Sequence, residues 1–116
     1  MKENELYSVG DVCRKTGITS KTLFYYDKIG LFKPAKRKGA QKHKFYDEDQ
    51  IGRLYEIMKY RQAGLNISEI KNLISDLNSD RFKILVQASN RLNAELTEKA
   101  EQIELLKQII AKETKL

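Results

Sequence analysis

From Asp80 to about Glu113 the chain contains neither glycine nor proline. Within that stretch Leu85, Ser89, Leu92, Leu96, Lys99, Ile103, Leu106 and Ile110 are separated by gaps of 4, 3, 4, 3, 4, 3 and 4, and six of these eight positions are apolar. That alternation is the heptad seam of a coiled coil, sustained over nearly four heptads. At 1.5 Å of rise per residue such a helix is roughly 50 Å long, whereas a domain of about 80 residues is only about 25–30 Å across. The helix is therefore expected to project rather than fold back on its own domain. A projecting apolar seam needs a partner, and the simplest is the same helix of a second copy, giving a homodimer.

Residues 79–116 are thus assigned to a dimerisation helix, which leaves residues 1–78 for one small domain. Its elements announce themselves by their caps. Ser8 with Asp11 reads as a capping pair, Val9, Val12 and Cys13 share an apolar face, and Gly17 ends that helix near Thr16. Thr19 caps a second helix that begins at Ser20, turns Leu23 inward and closes at Gly30. Two short helices joined by a tight glycine-bearing turn form a helix-turn-helix. The segment "LFKPAKRKGAQKHKFY" reads as two short strands, around Phe32–Lys33 and His43–Tyr46, joined by a basic loop. Asp47 with Gln50 opens a third helix whose apolar stripe is Ile51, Leu54, Tyr55, Met58 and Gln62, ending at Gly64. Asn66 with Glu69 opens a fourth, with Ile67, Ile70, Leu73, Ile74 and Leu77 inward, and "NSD" at 78–80 breaks the chain. The fold class is mainly all-α: a winged helix-turn-helix with a small β-hairpin wing, a second helix pair and a long C-terminal coiled-coil helix.

Charge is distributed unevenly. Residues 1–46 carry 11 Lys/Arg against 4 Asp/Glu, residues 47–80 carry 4 against 7, and residues 81–116 carry 7 against 5. The formal net charge of +6 therefore resides at one end, which points to a polyanionic partner met by the first 46 residues. Double-stranded DNA is the polyanion a helix-turn-helix suits, the second helix entering the major groove by its N-terminal part. There Lys21 can reach guanine acceptors or a phosphate, Thr22 a base edge or a thymine methyl group, and Ser20 stands beside them. Tyr25 and Tyr26 are adjacent, so on a helix at most one can be wholly committed to the core. A phenolic hydroxyl near the end of this helix can donate to a phosphate while its ring packs on the domain. Lys33, Lys36, Arg37, Lys38, Lys42 and Lys44 place six cations in twelve residues, with no acid among them. A hairpin so charged, with His43 inside it, is suited to gripping the phosphate backbone, and its binding should weaken steeply with salt.

Other classes find little support. One cysteine and one histidine preclude an internal disulfide and a multi-thiolate metal site, so no metal or other cofactor is expected. Cys13 reads as a small core residue and fits a reducing cytoplasm. No nucleophile-plus-base constellation or glycine-rich phosphate cradle is visible, so no catalytic residue is assigned and an enzyme is not expected. No apolar run approaches a membrane span, and "MKENELYS" lacks a signal-peptide core. Two alternatives to a sequence-specific regulator remain: a protein-interaction module whose coil recruits a partner, and a nonspecific architectural DNA binder.

The chain resembles the MerR family of bacterial transcription regulators over about residues 7–77. "YSVGDVCRKTGITSKTLFYYDKIGLFKP" is similar to that family's first helix, turn, "T-L-R-Y-Y-[DE]" helix and "G-L" exit. "FYDEDQIGRLYEIMKYRQAGLNISEIKNLI" is similar to its second helix pair, and "YYDKIGLFKP" looks most like the drug-sensing branch. The resemblance implies a homodimer joined by an antiparallel coiled coil. It implies binding to a palindromic operator between over-spaced promoter elements, and distortion of that duplex for RNA polymerase. It implies backbone contacts by Tyr25 and Tyr26, the recognition cation at Lys21, and the wing's "G-Y-R-x-Y" at Lys42, His43, Lys44, Phe45 and Tyr46. Three positions depart from the pattern: Phe24 replaces an arginine, Lys42 and His43 replace the wing's glycine and tyrosine, and Gln50 replaces an acid. The dimer helix carries no metal-sensing cysteine, and the charged ending "AKETKL" leads us to expect that it runs on into a linker.

Overall fold

A computed structural model describes residues 5–75 and 80–114. The chain forms two compact units, residues 1–71 and residues 72–116. The expected domain boundary at 78, the "NS" of the break and Leu77 lie outside the described residues.

In the first unit β1 (Leu6–Ser8) leads directly into α1 (Val9–Thr16), followed by α2 (Ser20–Lys28), β2 (Lys36–Lys38), β3 (His43–Asp47), α3 (Glu48–Gln62) and the start of α4 (Ile67–Ser75). The caps explain the boundaries. Ser8 Oγ accepts from the Asp11 N–H while the Asp11 carboxylate accepts from the Ser8 N–H, both at 3.1 Å. Gly17 at φ 84° takes the left-handed turn that ends α1, donating to the Cys13 carbonyl at 2.9 Å. Asp47 and Gln50 exchange the same reciprocal bonds at 3.0 and 2.9 Å, and Asn66 and Glu69 do so at 2.8 Å. Gln50 does more than cap: its Nε2 donates to the Lys33 carbonyl at 2.5 Å. A glutamate there would cap equally well but has no proton to give.

Val12, Leu23, Tyr46, Leu54, Ile57 and Ile70 are fully buried and hold the elements together. On α3 the buried stripe is Ile51, Leu54 and Ile57, with Met58 half-buried, so the expected stripe is rotated. Tyr55 and Gln62 are exposed, and Tyr55 instead donates its hydroxyl to the Lys15 carbonyl at 2.8 Å. Cys13 is only half-buried, so it is a margin of the core rather than part of it. The sheet is three-stranded and antiparallel, ordered β1-β3-β2. It adds β1 to the expected hairpin and moves the hairpin's first strand from Phe32–Lys33 to Lys36–Lys38. The cause is hydrogen-bond accounting. The Leu31 and Phe32 N–H groups close the end of α2 on the Tyr26 carbonyl, Pro34 has no N–H, and the ladder begins only where the Ala35 N–H reaches the Phe45 carbonyl at 2.9 Å.

In the second unit α5 runs Arg81–Thr114, 34 residues without interruption. Asp80 caps it by accepting from the Lys83 N–H at 3.0 Å, and the Arg81 guanidinium donates to the Leu73 carbonyl at 2.9 Å. Every residue from 93 to 114 is exposed in the single chain. Of the seam, Leu92 is half-buried, while Leu85, Ser89, Leu96, Lys99, Ile103, Leu106 and Ile110 stand open. Leu96 is 68% exposed and Ile110 58%, which is costly for side chains of this size and calls for a covering surface.

Candidate nucleic-acid interface

The turn before α2 fixes the start of the recognition helix. Thr19 Oγ1 accepts from the Thr22 N–H at 3.1 Å and donates to Thr22 Oγ1 at 2.9 Å. The Thr22 hydroxyl is thereby oriented, and its own proton remains for an outside acceptor. Leu23, Tyr26 and Asp27 face inward. Lys21, Phe24, Tyr25 and Lys28, spaced i, i+3, i+4 and i+7, form one exposed stripe, with Ser20 exposed at its head. The two tyrosines are now distinguished. Tyr25 is 52% exposed and Tyr26 only 6%, their rings 6.4 Å apart and tilted. Tyr25 is thus free to present its hydroxyl, whereas Tyr26 serves the core first.

The wing is a tight hairpin. Its register sets Lys36 opposite Phe45, Arg37 opposite Lys44 and Lys38 opposite His43. Like charges directly across a ladder repel, and Arg37 facing Lys44 is such a pair. Asp27 resolves it. The Arg37 guanidinium donates two bonds to the Asp27 carboxylate at 2.7 and 2.9 Å, and Lys44 Nζ lies 3.0 Å from Asp27 Oδ2. The carboxylate is buried, and the Arg37 hydrogen bonds together with Lys44 hold its pKa down at about 2 against the burial that would raise it. Lys44 also sits over the Phe24 ring, 4.3 Å from its centroid, and Lys38 lies over Phe45 at 5.2 Å.

Of the wing residues assigned from sequence, Lys36, Lys38, Lys42 and His43 are exposed, while Arg37 and Lys44 are engaged by Asp27. Sequence reasoning missed Asp27 altogether, although it is the only acid between Asp11 and Asp47. A single carboxylate in so cationic a stretch was the available signal. Tyr46, buried and stacked on Phe32 at 5.5 Å, has a hydroxyl that finds no hydrogen-bond partner among the described residues, and burial pushes its pKa up to about 12. It belongs to the core, not to a surface.

Lys42, which replaces a glycine of the resembled pattern, adopts φ 54°. That left-handed conformation costs an ordinary residue about 1–2 kcal/mol, partly offset because glycine is freer when unfolded. Lys42→Gly is therefore expected to raise stability by about 0.5–1 kcal/mol in urea titration. The same change removes one cation, so it should flatten the salt dependence of DNA binding.

The profile described as MerR HTH family regulatory protein matches residues 7–77. The chain belongs to the MerR family. The HTH-type transcriptional activator TipA of Streptomyces coelicolor is 39% identical over 74 residues, covering 64% of this chain and 29% of TipA. The chain thus spans under a third of that relative. The HTH-type transcriptional regulator YyaN of Bacillus subtilis, itself uncharacterised, is 33% identical over 109 residues, 88% of this chain and 78% of YyaN. Among solved structures, a cryo-EM structure of an EcmrR–DNA complex in EcmrR-RPo superposes with a TM-score of 0.81 at 28% identity, covering 95% of this chain and 41% of that one. The mainly helical winged helix-turn-helix architecture is that of the family.

Proposed function

We propose that this MerR-family regulator works as a homodimer that binds a two-fold-symmetric operator in double-stranded DNA. The observation that carries the reading is the exposed stripe Lys21, Phe24, Tyr25 and Lys28 on α2, together with the exposed wing cations Lys36, Lys38 and Lys42. Lys21, Thr22 and Ser20 meet base edges or nearby phosphates, and Tyr25 donates to the backbone. Tyr26 contributes by bracing the helix, with its hydroxyl at the margin. The likeness to an EcmrR–DNA complex in EcmrR-RPo supports the DNA partner and action at a promoter with RNA polymerase, and the family resemblance implies that the action is distortion of the promoter duplex. The reading involves no catalysis and places the protein in the cytoplasm. Among the described residues no helix is long and apolar enough to cross a membrane.

The seam favours an antiparallel partner helix. Parallel and in register, Lys99 would face Lys99 and Ser89 would face Ser89. Antiparallel, Leu85 meets Ile110, Ser89 meets Leu106, Leu92 meets Ile103 and Leu96 meets Lys99, so no seam charge faces its like. The test is selection of bound duplexes from a random pool, with the tightest then titrated against salt. An inverted repeat with a fixed centre, bound far above random sequence, is the expected result. Equal affinity for random duplexes would make the protein an architectural binder, and no binding at all would leave the protein-interaction module.

A further inference from the structure

We infer that Phe24 is a specificity-determining residue whose ring reads the 5-methyl group of a thymine in the major groove. The inference rests on the DNA-binding reading above. Phe24 lies on the exposed stripe of α2 between Lys21 and Lys28, beside Tyr25, and is itself 44% exposed. The core does not require it, since Leu23 and Tyr26 supply the buried side chains of this helix. Lys21 and Lys28, which flank it along the stripe, are cationic, which suits a polyanion and not an apolar protein partner. The ring is also held in place. Lys44 Nζ, pinned at 3.0 Å from Asp27 Oδ2, stands 4.3 Å over its centroid. A side chain ordered before binding loses little entropy on contact.

Base edges in the major groove are donors and acceptors, with one exception: the thymine methyl group is apolar. A phenyl ring set against a cytosine amino group or a guanine oxygen would displace water from it without replacing the hydrogen bond, which is unfavourable. Set against a thymine methyl group it buries apolar surface on both sides. Phe24 therefore discriminates where a longer cationic side chain at the same place would instead seek a guanine or a phosphate.

The test uses the full chain and the tightest duplex recovered by selection. Deoxyuridine replaces each thymidine in turn, at symmetric positions of both half-sites, removing only the methyl group. At one position the wild-type protein should lose roughly tenfold in affinity, as expected for two buried methyl contacts. Phe24→Ala should bind the thymidine and deoxyuridine duplexes equally at that position, and Phe24→Leu should still distinguish them. Thermal melting of both variants checks that they fold, and the wild-type scan stands whether or not they do. If no uracil substitution weakens the wild-type protein, or if Phe24→Ala and Phe24→Leu respond to every substitution as the wild type does, the thymine assignment is wrong while the DNA-binding reading survives. If no duplex is bound, both fall.

Discussion

Ile103→Glu is expected to convert the dimer to a monomer and to weaken operator binding by at least about a hundredfold, equivalent to about 2.7 kcal/mol. Ile103 is 54% exposed in the single chain and lies on the heptad seam. In the antiparallel register proposed above it would pack against Leu92 of the second copy, and two-fold symmetry would make that contact twice. Losing a large aliphatic side chain from a packed site costs about 2–5 kcal/mol, and placing a carboxylate there adds desolvation. Sedimentation at micromolar concentration should report the monomer directly. Glu101→Gln, off the seam on the same helix, should change neither mass nor binding. A dimeric Ile103→Glu protein would mean that α5 pairs through another face. The register has its own check: in a Cys13→Ser background, Ser89→Cys combined with Leu106→Cys should cross-link two chains on oxidation, whereas Ser89→Cys alone should not.

Asp27→Asn should destabilise the first unit by about 2 kcal/mol and reduce operator affinity more than that loss of stability explains. The amide cannot balance two facing cations, so Arg37 and Lys44 repel across the ladder. The estimate is kept below the usual cost of breaking a buried pair because the Arg37 side chain is 40% exposed. The pH dependence has a definite sign. The Asp27 pKa is lowered from 3.8 to about 2, so its stabilising contribution is complete above about pH 4 and is lost as pH falls through 2. The wild-type protein should therefore lose stability across that acid range, and Asp27→Asn should lack this part of the loss. In urea titrations between pH 2 and 7, parallel curves for the two proteins would show that the carboxylate does not brace the wing.

Local chemistry was legible in this chain and long-range partner choice was not. The helix starts could be read because a cap is decided within four residues, as at Ser8 with Asp11 and Asp47 with Gln50. The 34-residue helix could be read because nothing in 34 residues interrupts its period. Of the strands only β3 could, around His43–Tyr46: β1 is three residues long, too short for alternation to register, and β2 starts where hydrogen bonds from Leu31 and Phe32 have already been spent on α2. Helical geometry said that Tyr25 and Tyr26 must divide their roles, but only the folded core, which leaves Tyr26 6% exposed against 52% for Tyr25, assigns Tyr26 inward. The wing was read as six phosphate-seeking cations. Two of them, Arg37 and Lys44, answer instead to a carboxylate 10 and 17 positions earlier in the chain.

That internal carboxylate also has a kinetic meaning. A lone two-stranded hairpin is marginal in water, and one with an arginine facing a lysine is worse than marginal. The hairpin has no reason to close until a helix formed elsewhere offers its negative charge as a template, so it should be a late arrival in folding rather than a nucleus. Mutations at Arg37 should then accelerate unfolding and leave the refolding rate nearly untouched; a slowed refolding limb would reverse the order.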